Sequence, residues 1–260
     1  MPWGTRYGAD MARVLLVGES WMTHTTHVKG FDSFSTSEYA VGCDDWIGVL
    51  TGAGHQVDHL ASHLAPTEFP RTPSAFSAWD VVVLSDIGTN SLAMPQVVWH
   101  GGAAPNPLDA LEEWVLAGGG LAMCGGYLSF AGFEAKARFA GTAVERALPV
   151  LISSTDDRVE NPTDGTPVGT GTEHPVLAGV PTEWPRVSGY NRVIAKPGAQ
   201  VLVTVGADPF VVTGSHGLGR SLAFATDIGP HWAPPDFLAS SAYRTFWPAA
   251  ARWLAREEQP

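Results

Sequence analysis

The chain has 260 residues, with 26 acidic and 15 basic side chains and a formal net charge of −11. Nucleic acids and anionic membranes both attract concentrated positive charge, and the basic residues form no cluster, so we expect neither as a partner. The hydrophobic content of 45% can fill one large core. No apolar run reaches the roughly 18 to 20 residues that a membrane span requires.

The first ten residues are polar and follow no periodic pattern, and they lack the basic and apolar blocks of a signal peptide. We therefore predict a disordered extension over residues 1–10, a single domain over residues 11–260 and a cytoplasmic location. Cys43 and Cys124 lie in very different local contexts, so no disulfide is expected.

Four short apolar runs end abruptly in small or acidic residues, as buried parallel strands do at their carboxyl ends. These runs are Val14–Val17, Val81–Leu84, Leu121–Cys124 and Ser221–Thr226. Helical patterns lie between them. These are Asp44–Leu50, a segment capped by Asn106 with Pro107 in its first turn, and Tyr243–Leu254, in which Pro248 marks a kink or the first turn.

Strands that alternate with helices predict an α/β fold, a mostly parallel sheet with helices on both faces. Between about residues 149 and 220 the sequence becomes rich in β-segments, which predicts an added β-rich edge with a hairpin formed by residues 209–213 and 219–226.

In an open parallel sheet, ligands bind beyond the carboxyl ends of the strands. The four predicted strands bring Glu19, Asp86, Cys124 and Asp227 to that edge. The loops after them add further candidates, namely Trp21, His24, His27, Lys29, Asp32, Tyr127 and His231. We expect these side chains to line one pocket.

Cys124 follows an apolar strand and precedes two glycines, so a sharp turn with a helix beyond it could expose the thiol and lower its pKa. The segment Ala122-Met123-Cys124-Gly125-Gly126 resembles the Gly-x-Cys-x-Gly nucleophile elbow of class I glutamine amidotransferases, with Ala in place of the first Gly. The alternative is a small buried cysteine that ends the strand.

Further stretches are similar to a bacterial family of cytoplasmic proteins described as putative glutamine amidotransferase-like. They are Gly18–Trp21, His27–Phe34, Ser85–Gly88, Gly125–Phe130, Asp156–Glu160, Gly189–Asn191 and Pro230–Trp232. The resemblance covers about residues 12 to 255. It implies a flavodoxin-like, class I glutamine amidotransferase-like fold that is also related to the ThuA-like proteins of trehalose utilisation.

True glutaminases of this class carry a His-Pro-Glu segment after a late strand, whereas this chain has Asp227 there and His231 four residues later. A catalytic site would therefore use Cys124 as nucleophile, His231 as base and Asp227 or Asp86 as the acceptor that orients the imidazole. The backbone N–H groups of Gly125 and Gly88 are the candidate oxyanion donors.

Aromatic residues next to carboxylates and an amide are typical of carbohydrate-binding pockets, although large rings can also hold long loops against a domain. The aromatic candidates are Trp21, Tyr127, Trp184, Tyr190 and Trp232. Arg158 either binds an anionic group of a substrate or belongs to a salt-bridged turn. The residues expected to bind substrate are Glu19, Trp21, His27, Lys29, Asp86, Gly125, Tyr127, Arg158, Asn191 and Trp232.

No cofactor is expected, because the phosphate-binding GxGxxG spacing is missing. We expect no metal either. His24 and His27 lie three residues apart near Glu19, but the threonines around them indicate an extended loop rather than a ligand-bearing helix.

Two functions remain open. The first is a glutamine amidotransferase-like cysteine hydrolase that acts on an amide or another small polar metabolite, in which case a separate synthase subunit would accept the ammonia. The second is a ThuA-like protein that binds or converts a carbohydrate, with Cys124 non-catalytic. A partner-binding module is a third hypothesis, and a homo-oligomer is a further candidate assembly.

Overall fold

A computed structural model of the chain describes residues 11–163, 165–170 and 173–256. The predicted extension over residues 1–10 lies outside the described residues. The strands are β1 (Arg13–Gly18), β2 (Ser20–Lys29), β3 (Asp32–Val41), β4 (Gln56–Leu60), β5 (Val81–Ser85), β6 (Gly120–Cys124), β7 (Val150–Leu151), β8 (Arg158–Glu160), β9 (Thr166–Thr170), β10 (Glu183–Val187), β11 (Gly189–Asn191), β12 (Ile194–Ala195), β13 (Gln200–Val205), β14 (Asp208–His216) and β15 (Gly219–Phe224). The α-helices are α1 (Asp44–Gly52), α2 (Ala65–Glu68), α3 (Thr89–Ala93), α4 (Gln96–Trp99), α5 (Pro107–Leu116), α6 (Ala143–Ala147), α7 (Pro235–Ala239) and α8 (Ser241–Leu254).

Nine strands form the central sheet, in the order β10-β9-β13-β14-β15-β6-β5-β1-β4. The five strands from β15 to β4 pair in parallel, while β14, β13, β9 and β10 continue the sheet in antiparallel orientation. The predicted mostly parallel core, the added β-rich edge and the β14–β15 hairpin are all confirmed.

Side chains of the parallel strands alternate between two hydrophobic layers. In β1, Val14 and Leu16 face the layer that α1, α7 and α8 cover, whereas Leu15 and Val17 face the layer that α5 and α6 cover. Because the strands are buried on both faces, each reads as a continuous apolar run in the sequence. Helices therefore cover both faces, as in flavodoxin-like folds.

The structure confirms the predicted start of one helix and moves the start of another. The N-cap of α5 is confirmed, since the Oδ1 atom of Asn106 accepts a hydrogen bond of 3.1 Å from the N–H of Leu108. Helix α8 begins earlier than its apolar pattern, with Ser240 as its N-cap, so Pro248 lies inside the helix rather than in its first turn.

Strands β2 and β3 form a long antiparallel hairpin, which we call the arm (Ser20–Val41). The sequence predicted an extended loop here. The structure corrects this, because the two strands pair along their whole length. The arm is tied to the domain at its base, where the N–H of Gly42 donates to the carbonyl of Glu19 at 3.0 Å and the N–H of Ser62 donates to the hydroxyl of Ser20 at 2.8 Å.

Within the part of the chain that the structure describes, none of the helices combines the length and the apolar character needed to span a membrane.

Candidate functional site

Four neighbouring strands of the sheet deliver the residues of one pocket. Glu19 follows β1, Asp86 follows β5, Tyr127 lies in the loop after β6 and Asp227 comes shortly after β15. Their carboxyl ends meet at one edge, where a half-open cavity of about 530 Å³ lies. The cavity is lined by Glu19, Trp21, Asp86, Tyr127, Asp227, Pro230 and His231.

Glu19 is a buried carboxyl among other carboxyls. Only 4% of the residue is exposed. Burial raises its pKa well above the ordinary value, and the negative charges of Asp227 and Asp86 raise it further. Burial and the neighbouring carboxylates thus favour the protonated form of Glu19, which can donate a proton to a ligand.

Asp86 is held by two hydrogen bonds from the loop after β6. Its Oδ1 atom accepts from the N–H of Leu128 at 2.7 Å, and its own N–H donates to the hydroxyl of Ser129 at 3.0 Å. Burial raises the pKa of Asp86 to about 6 even though the Leu128 hydrogen bond opposes the shift. A carboxyl with such a pKa can both take and give a proton near neutral pH.

Asp227 orients His231. One carboxylate oxygen, Oδ2, accepts from Nδ1 of His231 at 2.9 Å and from the N–H of Trp232 at 2.8 Å. The hydrogen bond to Asp227 raises the pKa of His231, with burial opposing the shift. The His231 side chain is 44% exposed, so its ring remains accessible to a ligand.

Gly126 lies between the two aspartates. A methyl group placed on its Cα would come within 2.8 Å of Oδ1 of Asp86 and 2.9 Å of Oδ1 of Asp227. The glycine has a φ of 135°, which side-chain-bearing residues rarely adopt. Glycine at this position therefore lets the two carboxylates approach the same stretch of backbone.

Aromatic rings form a wall of the pocket, and Glu160 organises them. Oε1 of Glu160 accepts from the hydroxyl of Tyr127 at 2.9 Å and from Nε1 of Trp232 at 3.1 Å. The Tyr127 ring meets the His231 ring edge-on, with centroids 4.5 Å apart. Trp21 belongs to the arm and is 43% exposed at the pocket. Glu160 lies in one of the stretches that resemble the family, but no feature of the sequence predicts its role.

Cys124 is fully buried and does not line the pocket. Its side chain points into the hydrophobic layer that contains Leu16, Val83 and Phe224. Burial raises the thiol pKa well above the ordinary value, and the carboxylates of Glu19 and Asp227 add to the shift. A buried, protonated thiol is typical of a structural cysteine. The role of Cys124 as a nucleophile therefore stays a prediction, and this placement does not support it.

The backbone after Cys124 differs from the predicted nucleophile elbow. The N–H of Gly125 is shared between the carbonyl oxygens of Phe224 and Thr226, both at 2.8 Å, so it is engaged and does not face a substrate. The expectation that Gly125 provides an oxyanion donor is corrected on this ground. A turn follows rather than an α-helix, and the next helical segment is a short 3-10 helix, Phe133–Ala135.

Asn191 supports the pocket from beneath rather than lining it. It is fully buried, and its Oδ1 accepts from the N–H of Gly126 at 2.9 Å while its Nδ2 donates to Oδ1 of Asp157 at 2.8 Å. Asp157 in turn accepts from the N–H groups of Ala131 and Gly132. The predicted substrate contact of Asn191 is thus replaced by a positioning role, because the amide has no exposed surface.

His27 and Lys29 lie outside the pocket, which corrects their predicted role as substrate ligands. Both are on the exposed outer part of the arm, where the His27 ring stacks on Phe34 at a centroid distance of 4.6 Å. At about 3.4 Å per residue, the arm carries Lys29 roughly 27 Å from Trp21 along β2. A loop could fold back and bring His27 and Lys29 to the pocket, whereas the paired hairpin holds them away from it.

Arg158 forms the predicted salt-bridged turn, with one of its guanidinium nitrogens 2.8 Å from Oδ2 of Asp156. The guanidinium also stacks over Phe133 and lies near Tyr127, with ring centroids at 4.1 Å and 5.2 Å. It therefore packs against the rings of Phe133 and Tyr127, and it is not among the residues that line the pocket.

Two of the aromatic candidates belong to the core and not to loops. Trp184 on β10 packs against Phe210 and Phe246, and Tyr190 on β11 is buried. Trp232 is also buried, although its indole N–H reaches Glu160. These rings were misplaced because aromatic residues in short, irregular strands look like loop residues in the sequence.

His24 lies on the arm, where Nδ1 is 2.8 Å from the hydroxyl of Ser37. Among residues 11–163, 165–170 and 173–256, no group of three or more His, Cys, Asp or Glu side chains is arranged to hold a metal ion.

The comparisons with known proteins agree with this architecture. Residues 13–256 match the model of a family described as putative glutamine amidotransferase. A cytoplasmic protein from Salmonella typhimurium LT2 is 39% identical, with 93% of this chain and 99% of that chain covered and a TM-score of 0.88. A second cytoplasmic protein from Salmonella typhimurium is 36% identical, with 93% and 98% covered and the same TM-score.

A ThuA-like protein from Parabacteroides merdae shares the fold, with a TM-score of 0.57, 15% identity and coverage of 94% of this chain and 90% of that chain. No curated protein matches the chain significantly. The match over nearly all of the described residues, together with two relatives above 30% identity, places this chain in the putative glutamine amidotransferase family, which has the class I glutamine amidotransferase-like fold.

Proposed function

We propose that this chain is an acid–base enzyme that binds a small neutral carbohydrate in the pocket at the carboxyl edge of the sheet. The observation that carries the proposal is the meeting of Glu19, Asp86, Asp227 and His231 in one cavity that Trp21 and Tyr127 also line. Carboxyls and an imidazole bind hydroxyl groups, and aromatic rings cover the apolar faces of sugar rings. The negative charge of the pocket disfavours anionic ligands.

The proposed reaction is proton transfer at a carbon next to the carbonyl group of an open-chain sugar. Asp86, with a pKa of about 6, takes the proton from carbon as general base. Protonated Glu19 or the His231 imidazolium gives a proton to the carbonyl oxygen, which forms an enediol. Asp86 then gives its proton to the neighbouring carbon, and the hydroxyl on the other carbon returns a proton to the deprotonated Glu19 or His231, which gives the isomer, so no other reactant is consumed.

The test uses a panel of aldoses and ketoses in D₂O, with deuterium incorporation at carbon followed by NMR. We expect incorporation with at least one sugar and a loss of about 10² to 10⁴-fold in Asp86→Asn, the range typical of general bases. Cys124→Ala is the matched control and should keep the activity. No incorporation by the unsubstituted chain, together with no change in tryptophan fluorescence on addition of any sugar, would contradict the proposal.

A cysteine hydrolase acting on glutamine or another amide is the second candidate, and the position of Cys124 at the end of β6 favours it. The buried thiol and the engaged N–H of Gly125 weigh against it. Ammonia release from L-glutamine that is lost in Cys124→Ala but kept in Asp86→Asn would support this candidate instead. Such an enzyme would need a separate synthase subunit as the ammonia acceptor.

We further propose that the protein acts in the bacterial cytoplasm. The two relatives above 30% identity are named cytoplasmic proteins and come from Salmonella. Both cysteines are free thiols, which fits a reducing compartment.

A further inference from the structure

The arm is exposed to solvent over almost its whole length. Every residue from Trp21 to Tyr39 is exposed, on both faces of the hairpin. The exposed side chains include several apolar ones, with Val28 at 70% and Phe31, at the turn, fully exposed. A two-stranded hairpin without a covering layer is only marginally stable in water. The arm therefore presents a surface that a partner would stabilise.

The two faces of the arm differ in charge. Directly paired residues of an antiparallel hairpin lie on the same face, so the register assigns each side chain. One face, which we call the neutral face, carries the pairs Met22/Tyr39, His24/Ser37, Thr26/Ser35 and Val28/Ser33. Among the arm's residues, all of which the structure describes, every Asp, Glu and Lys lies on the other face: Glu38, Lys29 and Asp32.

We propose that the neutral face of the arm binds a second copy of this chain. Two copies of a protein with a net charge of −11 repel each other, so they associate best through a surface without carboxylates. A strongly basic partner or a nucleic acid would instead require charges on the arm to recognise it. An uncharged face that combines methionine, tyrosine, valine and hydroxyl side chains suits a two-fold contact, in which the neutral face of each arm lies on the surface of the other copy.

The size of the face is sufficient for a stable dimer. Each strand of the arm has 10 residues. At about 3.4 Å per residue and a ribbon width of about 10 Å, one face covers about 340 Å². Each arm then buries about 340 Å² of its own surface and about the same area of the other copy. The two arms of a dimer together bury about 1,400 Å², which lies within the range of about 1,200 to 2,000 Å² found for specific interfaces.

The pocket stays open in this arrangement. Trp21, the residue of the arm that lines the cavity, pairs with Ala40 and lies on the charged face. A partner on the neutral face therefore leaves the indole of Trp21 free for a ligand.

The experiment measures the mass of the full chain by sedimentation velocity over a concentration range from nanomolar to about 100 µM. The variant Thr26→Glu/Val28→Glu places two carboxylates on the neutral face. The matched control Thr25→Glu/His27→Glu adds the same number of carboxylates to the neighbouring positions on the charged face. All four positions are exposed, and circular dichroism checks that both variants keep the fold.

We expect a dimer in the unsubstituted chain and in the control. The neutral-face variant should raise the dissociation constant of the dimer at least about 100-fold, because each new carboxylate is present twice in a two-fold interface. Amide exchange in the arm should also slow with increasing protein concentration, but only in the chains that dimerise. A monomer at every concentration would overturn the proposal. So would a dimer that both variants leave intact or that both weaken equally.

Discussion

Glu19 and Asp86 end neighbouring parallel strands in the same left-handed backbone conformation, with φ angles of 49° and 43°. Residues other than glycine adopt this region rarely and at a cost of about 1 to 3 kcal/mol each. The N–H of Glu19 donates to the carbonyl of Ser85 at 2.9 Å, and that of Asp86 to the hydroxyl of Ser129 at 3.0 Å. Strain at two adjacent strand ends that both supply a pocket carboxyl is typical of a functional site.

The raised pKa of Asp86 predicts a pH-dependent stability. In the folded chain this pKa is about 6, against an ordinary value of 3.8. Between these values the folded chain holds the proton and the unfolded chain has released it, so the free energy of unfolding falls as the pH rises. Asp86→Asn removes this loss and should raise the melting temperature at pH 7 by a few degrees, since about 1 kcal/mol corresponds to roughly 2 to 4 °C at this chain length.

The measurement is a set of melting curves from pH 4 to pH 8. The curve of Asp86→Asn should be flatter than that of the unsubstituted chain between pH 4 and pH 6 and lie above it at pH 7. The control is Glu113→Gln, a change at an exposed carboxyl of α5. Parallel curves for Asp86→Asn and the unsubstituted chain would show that the Asp86 carboxyl is not buried in the way the structure indicates.

His231 depends on Asp227 for its raised pKa. An imidazole with a raised pKa stabilises the fold at low pH, and this contribution is lost as the pH rises through the pKa of the folded chain. Asp227→Asn removes the main cause of the shift, so the pKa of His231 should fall, with burial now the leading influence. NMR titration of the His231 ring protons measures it directly.

A suitable control for this titration is Glu112→Gln, which removes the carboxylate that lies 3.2 Å from Nε2 of His216. It should leave the His231 titration unchanged. An unaltered His231 curve in Asp227→Asn would mean that the 2.9 Å contact does not persist in solution.

Much of the pocket could be predicted from the sequence, because strands buried on both faces read as apolar runs whose ends are sharp. Glu19 and Asp86 follow two such runs directly, and Asp227 comes soon after a third. The direction of Cys124 could not be predicted in the same way. In a strand buried on both faces, Met123 and Cys124 point to opposite layers, yet no contrast in polarity marks which is which.

The arm and the Asn191 network were missed for different reasons. Both faces of the arm are exposed, so its sequence lacks the alternation of apolar and polar residues that predicts a strand. Asn191 and Gly126 are 65 residues apart and meet only because the fold brings β11 under the loop after β6. A single sequence carries no local signal for such a contact.

The burial of both thiols predicts their reactivity. Cys124 and Cys43 are fully buried, and burial raises the pKa of Cys43 to about 12. Neither thiol should react with a disulfide reagent such as 5,5′-dithiobis(2-nitrobenzoate) in the folded protein within minutes, whereas both should react after unfolding in guanidinium. Rapid labelling of Cys124 in the folded chain, identified by mass spectrometry, would instead support its role as a nucleophile.

Asn191→Ala should loosen the pocket without changing any of its lining residues. The substitution leaves the N–H of Gly126 without its acceptor and removes one of the two hydrogen bonds to Oδ1 of Asp157, which keeps the one from the N–H of Gly132. Unsatisfied buried groups cost about 1 to 3 kcal/mol, which denaturant unfolding can measure. Asn106→Ala, at the N-cap of α5, should cost about 1 kcal/mol but leave deuterium incorporation unchanged. Equal effects of both variants on that activity would contradict a positioning role for Asn191.

Gly126→Ala tests whether the close approach of the two aspartates to the backbone is required. The added methyl group would come within 3 Å of oxygens of both Asp86 and Asp227, at a φ that alanine rarely adopts. We expect a loss of about 2 to 4 kcal/mol in the free energy of unfolding, from backbone strain and crowding together, and loss of the proposed proton transfer.

Gly48→Ala is the matched control, since Gly48 lies on the exposed side of α1 with open space around it. That change should stabilise the chain by up to about 1 kcal/mol, because alanine favours helices over glycine. If Gly126→Ala were as harmless as Gly48→Ala, the carboxyls of Asp86 and Asp227 could not both lie against this backbone, and the pocket would not have the geometry on which the proposed chemistry depends.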